Sequence, residues 1–134
     1  MKALIYTGAE TLEYGDAPTP PINEGEALVR VMASGVCGSD MHAYLGHDER
    51  RPAPLILGHE AAGIVAAGPE EGRRITFNPL VSCGTCHHCR AGLTNLCASR
   101  QIVSMAPRQG AFAEYVTIPH QNLITVPENV AMEH

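Results

Sequence analysis

Short stretches of alternating apolar and polar residues recur along this chain, and they predict strands rather than long helices. Glu26 to Ser34 is the clearest, with Val29 and Val31 on one side and Leu28, Arg30 and Met32 on the other. Lys2 to Thr7 and Thr11 to Tyr14 read as two strands around a turn at Gly8, and Pro18-Thr-Pro-Pro21 then enforces an extended stretch. Further strands are expected at Leu55–Leu57, His59–Ala67, Arg74–Asn78 and Leu123–Val126. Ala111 to Ile118 also alternates, with Phe112, Glu114, Val116 and Ile118 opposite Ala113, Tyr115 and Thr117. One short helix is predicted over Ser39–Leu45, capped by Ser39 or Asp40. Many short strands separated by turn signals define a mainly β protein, a partly closed β-barrel with short helices.

Composition narrows the function. Thirteen Gly and ten Pro agree with frequent turns, and without Trp the core must be built from Val, Ile, Leu, Ala and Met. At 134 residues the chain is one domain by length. A net charge of −5 with only short basic clusters, Arg50-Arg51 and Arg73-Arg74, argues against nucleic acid as a partner. No apolar run approaches the roughly 20 residues of a spanning helix, and the amino terminus reads as a strand, not a signal peptide. Reduced, crowded cysteines then point to a cytoplasmic protein.

Those cysteines carry the chemistry. Cys83, Cys86, Cys89 and Cys97 are spaced C-x₂-C-x₂-C-x₇-C, in a lobe running from about 79 to 100. Two-residue gaps let successive sulfurs converge on one tetrahedral ion, and four thiolates leave no open coordination position. A disulfide pairing would leave a fifth thiol over. The ferredoxin-type run has a three-residue last gap followed by proline, whereas here the gap is seven and Ala98 follows. A structural zinc is the best match; His87 and His88 inside the lobe are read as solvated residues that could replace a sulfur. Upstream, Cys37 precedes the predicted helix, and His59 and Glu60 form a second mixed donor set. Adjacent residues on a regular strand face opposite ways, so His59 and Glu60 share one metal only where the backbone bends.

Taken in order, Gly35-Val-Cys-Gly-Ser-Asp-Met-His42, Gly58-His-Glu60 and the four-cysteine run resemble the zinc-dependent medium-chain alcohol dehydrogenases. The sorbitol and threonine dehydrogenase branch is closest in the Cys-Gly-Ser-Asp segment. The resemblance spans the chain and implies a GroES-like catalytic domain over residues 1–134. It implies one catalytic zinc held by Cys37 and His59 with Glu60 beside it, and one structural zinc held by Cys83, Cys86, Cys89 and Cys97. Ser39 corresponds to the hydroxyl that relays the substrate proton, His42 to the outer relay histidine, and Asp40 to the acid supporting the zinc-bound histidine. The implied reaction converts a small-molecule alcohol, secondary or polyol-like, to a ketone or aldehyde by hydride transfer to NAD(P).

The chain departs from the family in two places. No G-x-G-x-x-G and no βαβ pattern is present, and Gly63–Arg74 is short for the family's strand–turn–strand connection. The nucleotide-binding domain and one further zinc ligand are therefore expected in a longer chain, and the full-length enzyme is expected to be a homo-oligomer. The carboxyl-terminal Val126-Pro-Glu-Asn-Val-Ala-Met-Glu-His134 reads as a helix start that stops after one turn. The rival function is a stand-alone zinc-binding structural or interaction module, which has no evident use for grouping Ser39, Asp40, His42, His59 and Glu60.

Overall fold

A computed structural model describes all of residues 1–134. Ten strands and two short helices succeed one another as β1 (Lys2–Gly8), β2 (Thr11–Asp16), β3 (Glu26–Gly35), α1 (Gly38–Tyr44), β4 (Leu55–Ile56), β5 (Glu60–Ala67), β6 (Arg74–Phe77), β7 (Leu80–Val81), α2 (His87–Arg90), β8 (Gln101–Ile102), β9 (Tyr115–Pro119) and β10 (Leu123–Thr125). Five strands form one antiparallel sheet in the order β10-β6-β5-β3-β9, and a second sheet runs β2-β1-β4. The segment before β9 joins them: Leu4 donates its amide to Phe112 O at 2.8 Å, and Glu114 donates to Lys2 O at 3.0 Å. The sheet thus curls into the partly closed barrel that the strand pattern predicts.

Alternation in β3 does what the sequence suggests. Ala27 and Val29 are at most 1% exposed, and they pack with Val65, Ile75, Phe77, Val116 and Ile118 into the main core. Small residues in β5 let the sheet close tightly. A Cβ on Gly63, paired with Val31, would sit 2.2 Å from Arg30 O, so only glycine permits this approach. A second core of Tyr6, Ala43, Leu55 and Leu57, with Phe112 against it, docks α1 on the smaller sheet through Ala43.

Four expectations are corrected. The helix begins one residue earlier than predicted, with Cys37 rather than Ser39 or Asp40 at its N-cap, because the Asp40 carboxylate accepts the Cys37 amide at 3.0 Å. The alternation at Ala111–Ile118 yields a strand only from Tyr115, since Phe112 bonds to Leu4 and Leu57 and Glu114 divides its backbone groups between Lys2 of β1 and Val31 of β3. The cysteine lobe contains the unpredicted α2 and is flanked by the β7–β8 pair. No helix starts after Val126; Arg74 Nη1 donates to Glu128 O at 2.9 Å and Nη2 to Val130 O, holding that segment in turns. No helix is long and apolar enough to cross a membrane.

Candidate metal centres

The cysteine lobe brings its four sulfurs within 4.8 Å of one another. Zinc–sulfur bonds of about 2.3 Å imply tetrahedral edges of about 3.8 Å, and Cys83 Sγ lies 3.9 Å from Cys89 Sγ. Cys97 is fully buried, Cys86 and Cys89 are half-buried and Cys83 is exposed. The Cys83 amide points at Cys97 Sγ at 3.5 Å, and Thr85 Oγ1 donates to Cys83 Sγ at 3.7 Å. The amides of Thr85 and Cys86, with that hydroxyl, bring the Cys83 thiol down to about 6. Burial, then the crowding of neighbouring sulfurs, pushes Cys89 up to about 11. Four sulfurs this close cannot all ionise beside one another unless a cation lies among them, so the donor set fits a thiophilic divalent ion. His87 and His88 pack edge to face with ring centroids 5.5 Å apart, and neither belongs to the converging set.

The second donor set is assembled by the fold. Cys37 ends the β3–α1 connection, while His59 and Glu60 lie where the chain enters β5. Their donor atoms all lie within 4.8 Å of one another. The chain enters this pair through a sharp bend at Gly58, whose φ of +90° is a conformation L residues rarely adopt and which sets the direction in which His59 leaves the preceding strand. Phe112 packs against its open side, where a Cβ would lie 2.5 Å from the ring.

Asp40 fixes this bend. It is 2% exposed, and its carboxylate accepts the amides of Cys37 at 3.0 Å and Gly58 at 3.2 Å. Its Oδ1 also lies 3.3 Å from His59 Nδ1, placed as an ion-pair contact though off the hydrogen-bond direction. Burial alone would raise the Asp40 carboxyl; His59 and the two amides outweigh it and hold the group below its ordinary value. Asp40 in turn raises His59, against burial and with help from Cys37. The Ser39 amide and hydroxyl, then His59, lower the Cys37 thiol. With Nδ1 facing a carboxylate, Nε2 is the nitrogen left for a ligand, and its side-chain neighbour is Ser39 Oγ at 3.4 Å. Thiolate, imidazole and carboxylate make a three-donor set of the kind that holds zinc with a position open.

His42 lies one turn beyond Ser39 on α1, exposed, its ring centroid 6.4 Å from that of His47. No direct hydrogen bond joins it to Ser39. A cavity of about 910 Å³ opens beside His59 and Glu60, lined also by Phe77, Pro127 and Met132 but not by Cys37 or Ser39. A separate cavity of about 630 Å³ between the proline stretch and β9 holds none of the donors. Arg51 was legible only as half of a basic pair; the structure buries it at 3% exposure against Asp48, Ser39 O and Ser104 O. The Asp-x-x-Arg spacing was the one available hint.

Barrel, closed thiolate lobe and open mixed site together define a class, and the chain belongs to it. Residues 23–128 match the family model of the alcohol dehydrogenase GroES-like domain, so this is a member of the zinc-dependent alcohol dehydrogenase family. It is 34% identical over 142 residues to the sorbitol dehydrogenase of Bacillus subtilis (strain 168), covering 99% of this chain and 40% of that protein. Identity to the L-threonine 3-dehydrogenase of Edwardsiella ictaluri (strain 93-146) is 36% over 140 residues, covering 97% of this chain and 41% of that protein. Among solved structures, the short chain alcohol dehydrogenase (rspB) of Escherichia coli CFT073 complexed with NADH superposes with a TM-score of 0.88 at 33% identity, covering 98% of this chain and 40% of that one. The chain thus spans about two-fifths of the length of the relatives it matches.

Proposed function

We propose that this chain is the catalytic domain of an NAD(P)-dependent dehydrogenase that oxidises a secondary or polyol-like alcohol. The observation that carries the reading is the convergence of Cys37, His59 and Glu60 donors within 4.8 Å, beside a hydroxyl and apart from the closed cysteine lobe. In this reading Cys37, His59 and Glu60 hold the reactive zinc, and Cys83, Cys86, Cys89 and Cys97 hold the structural one. Bound at the open site, zinc supplies Lewis-acid polarisation of the alcohol oxygen.

The remaining work falls to side chains. Asp40 holds His59 with Nε2 facing the site. Ser39 Oγ, on the same side as Nε2, would take up the alcohol proton as it releases its own, and His42, exposed one turn along α1 and not bonded directly to Ser39, would receive that proton through water and pass it to solvent. Phe77, Pro127 and Met132 line the apolar part of the cavity and limit water around the reacting carbon. A nicotinamide would supply the hydride acceptor; the sequence contains no G-x-G-x-x-G to hold one. The names of the sorbitol and threonine relatives, and the NADH bound in the rspB structure, support that class of substrate and cofactor.

Metal analysis and cobalt exchange test this. Two zincs per chain are expected, with no NAD-dependent turnover by the 134-residue chain alone. Cobalt introduced at the open site should give a thiolate-to-metal absorption band that shifts when polyols or secondary alcohols are added. One zinc, lost on Cys97→Ser and unaffected by Cys37→Ser, would overturn the reading.

A further inference from the structure

Arg51 is a buried cation that the proposed chemistry does not use. It closes the Gly46–Arg51 connection behind α1, and its side chain is 2% exposed. Nη1 donates to Asp48 Oδ2 at 2.9 Å and to Ser39 O at 3.2 Å, while Nε donates to Ser104 O at 2.9 Å. The exposed Arg50 takes the other side of Asp48, with Nε 2.8 Å from Oδ1. Ion pairs this buried contribute little net stability over apolar residues of the same volume, so stability alone is a poor reason for placing one here. The fork instead fixes three directions at once.

Two of those directions lead to the metal sites. Ser39 O belongs to the first turn of α1, the turn that carries the Ser39 hydroxyl to His59 Nε2 and the Asp40 carboxylate to His59 Nδ1. Ser104 follows β8, and β8 pairs with β7 across the base of the cysteine lobe. It is fully buried with φ of +71°, and the Val103 amide before it bonds to Pro79 O at 3.1 Å. One guanidinium therefore spans the gap between the base of the closed lobe and the helix that aims the open site.

We infer that Arg51 is a positioning residue that ties the Cys37–His59–Glu60 site to the base of the cysteine lobe, so that a filled lobe strengthens metal binding at the open site. This rests on the reading of the open site as metal-binding. A residue that merely supported the fold would lower stability and leave the affinity ratio of the two sites unchanged. A positioning residue changes that ratio and the coordination geometry that a metal reports.

The test is cobalt titration of chain dialysed to one zinc, retained in the lobe with the open site empty, followed by the Cys37 thiolate-to-cobalt band, with lobe zinc counted in parallel. Arg51→Met is expected to weaken cobalt at the open site at least tenfold and to shift the band, with one zinc retained in the lobe. Arg51→Lys, which keeps the charge but reaches fewer acceptors, should fall between. Emptying the lobe with Cys97→Ser should weaken the open site in the unaltered background and have less effect in Arg51→Met. An unchanged band and affinity in Arg51→Met, or an equal effect of Cys97→Ser in both backgrounds, overturns the inference. If Arg51→Met does not fold, Arg51→Lys decides: full affinity with an unshifted band overturns it. No band in the unaltered chain would instead overturn the metal-site reading and this inference with it.

Discussion

Replacing Gly58 by alanine tests the construction of the open site most directly. Two penalties can be separated on the structure. The first is backbone strain: a φ of +90° suits glycine, and an L residue held there costs about 1–3 kcal/mol. The second is overlap, because the added Cβ would lie 2.5, 2.7 and 2.9 Å from three atoms of the Phe112 ring. Phe112 is packed against Tyr6, Ala43, Leu55 and Leu57, so the ring has little room to retreat; overpacking of this kind costs about 1–3 kcal/mol. Together these give about 2–6 kcal/mol, a large share of the 5–15 kcal/mol typical of a domain. Urea unfolding of zinc-loaded protein measures the total, and a cycle with Phe112→Leu divides it. The leucine background should remove most of the overlap and leave the strain. Relief of the clash in that background should not restore the open-site metal, because the bend that directs His59 is still forced. A Gly58→Ala loss below about 1 kcal/mol, or the same loss in both backgrounds, would refute this account of the bend.

Three further outcomes are expected. Cys97→Ser, at a fully buried sulfur, should release one zinc and remove amide-exchange protection across the lobe while the β3–β5 amides stay protected; Cys37→Ser should release the other zinc and leave the lobe protected. Glu26 pairs with Arg108 at 2.8 Å and accepts Asn23 at 2.9 Å; burial opposes its ionisation, but these partners outweigh burial and hold its carboxyl below the ordinary value. Its contribution is therefore present above the unfolded value and lost as pH falls through the lower folded one, so Glu26→Gln should cost about 1.5–3 kcal/mol near neutrality and flatten the acid limb of urea midpoints against pH. An acid limb of unaltered slope would exclude that role. Gly63→Ala should force β3 and β5 apart, with a loss of about 3 kcal/mol or more on urea unfolding; a neutral substitution would mean that the two strands are not that close.

The legible parts of this protein are those whose signal is local. Four cysteines within fifteen residues announce their site because the spacing itself closes it. The alternation of β3 announces which residues face the core, and it does so correctly at Val29. At Ala111–Ile118 the same signal misleads, because alternation reports sidedness and not partner. The carbonyl of Phe112 and the amide of Glu114 bond across to β1, and pairing with β3 begins only at the Glu114 carbonyl. α2, at four residues, is too short to show any period. Arg51 and Arg74 are hidden for a third reason. Both look like surface charge, and both are consumed by carbonyls more than fifty residues away, at Ser104 and at Glu128 and Val130.

The two donor clusters differ in what holds them, and Asp40 shows how. The lobe is closed by its own loop, so its donors converge whenever residues 83 to 97 fold. The open site draws Cys37 from one side of α1 and His59 and Glu60 from the start of β5, with no local sequence holding them together. A buried carboxylate is tolerable only if its oxygens are satisfied, and Asp40 meets that condition with the Cys37 amide, the Gly58 amide and the His59 ring. Those three partners lie beside the donors themselves. The contacts that let Asp40 be buried are therefore the contacts that start α1, hold the Gly58 bend and face His59 Nδ1. Fraying the first turn of α1 would dismantle the open site and leave the lobe intact, whereas no change confined to the lobe's own loop removes a donor from the open site.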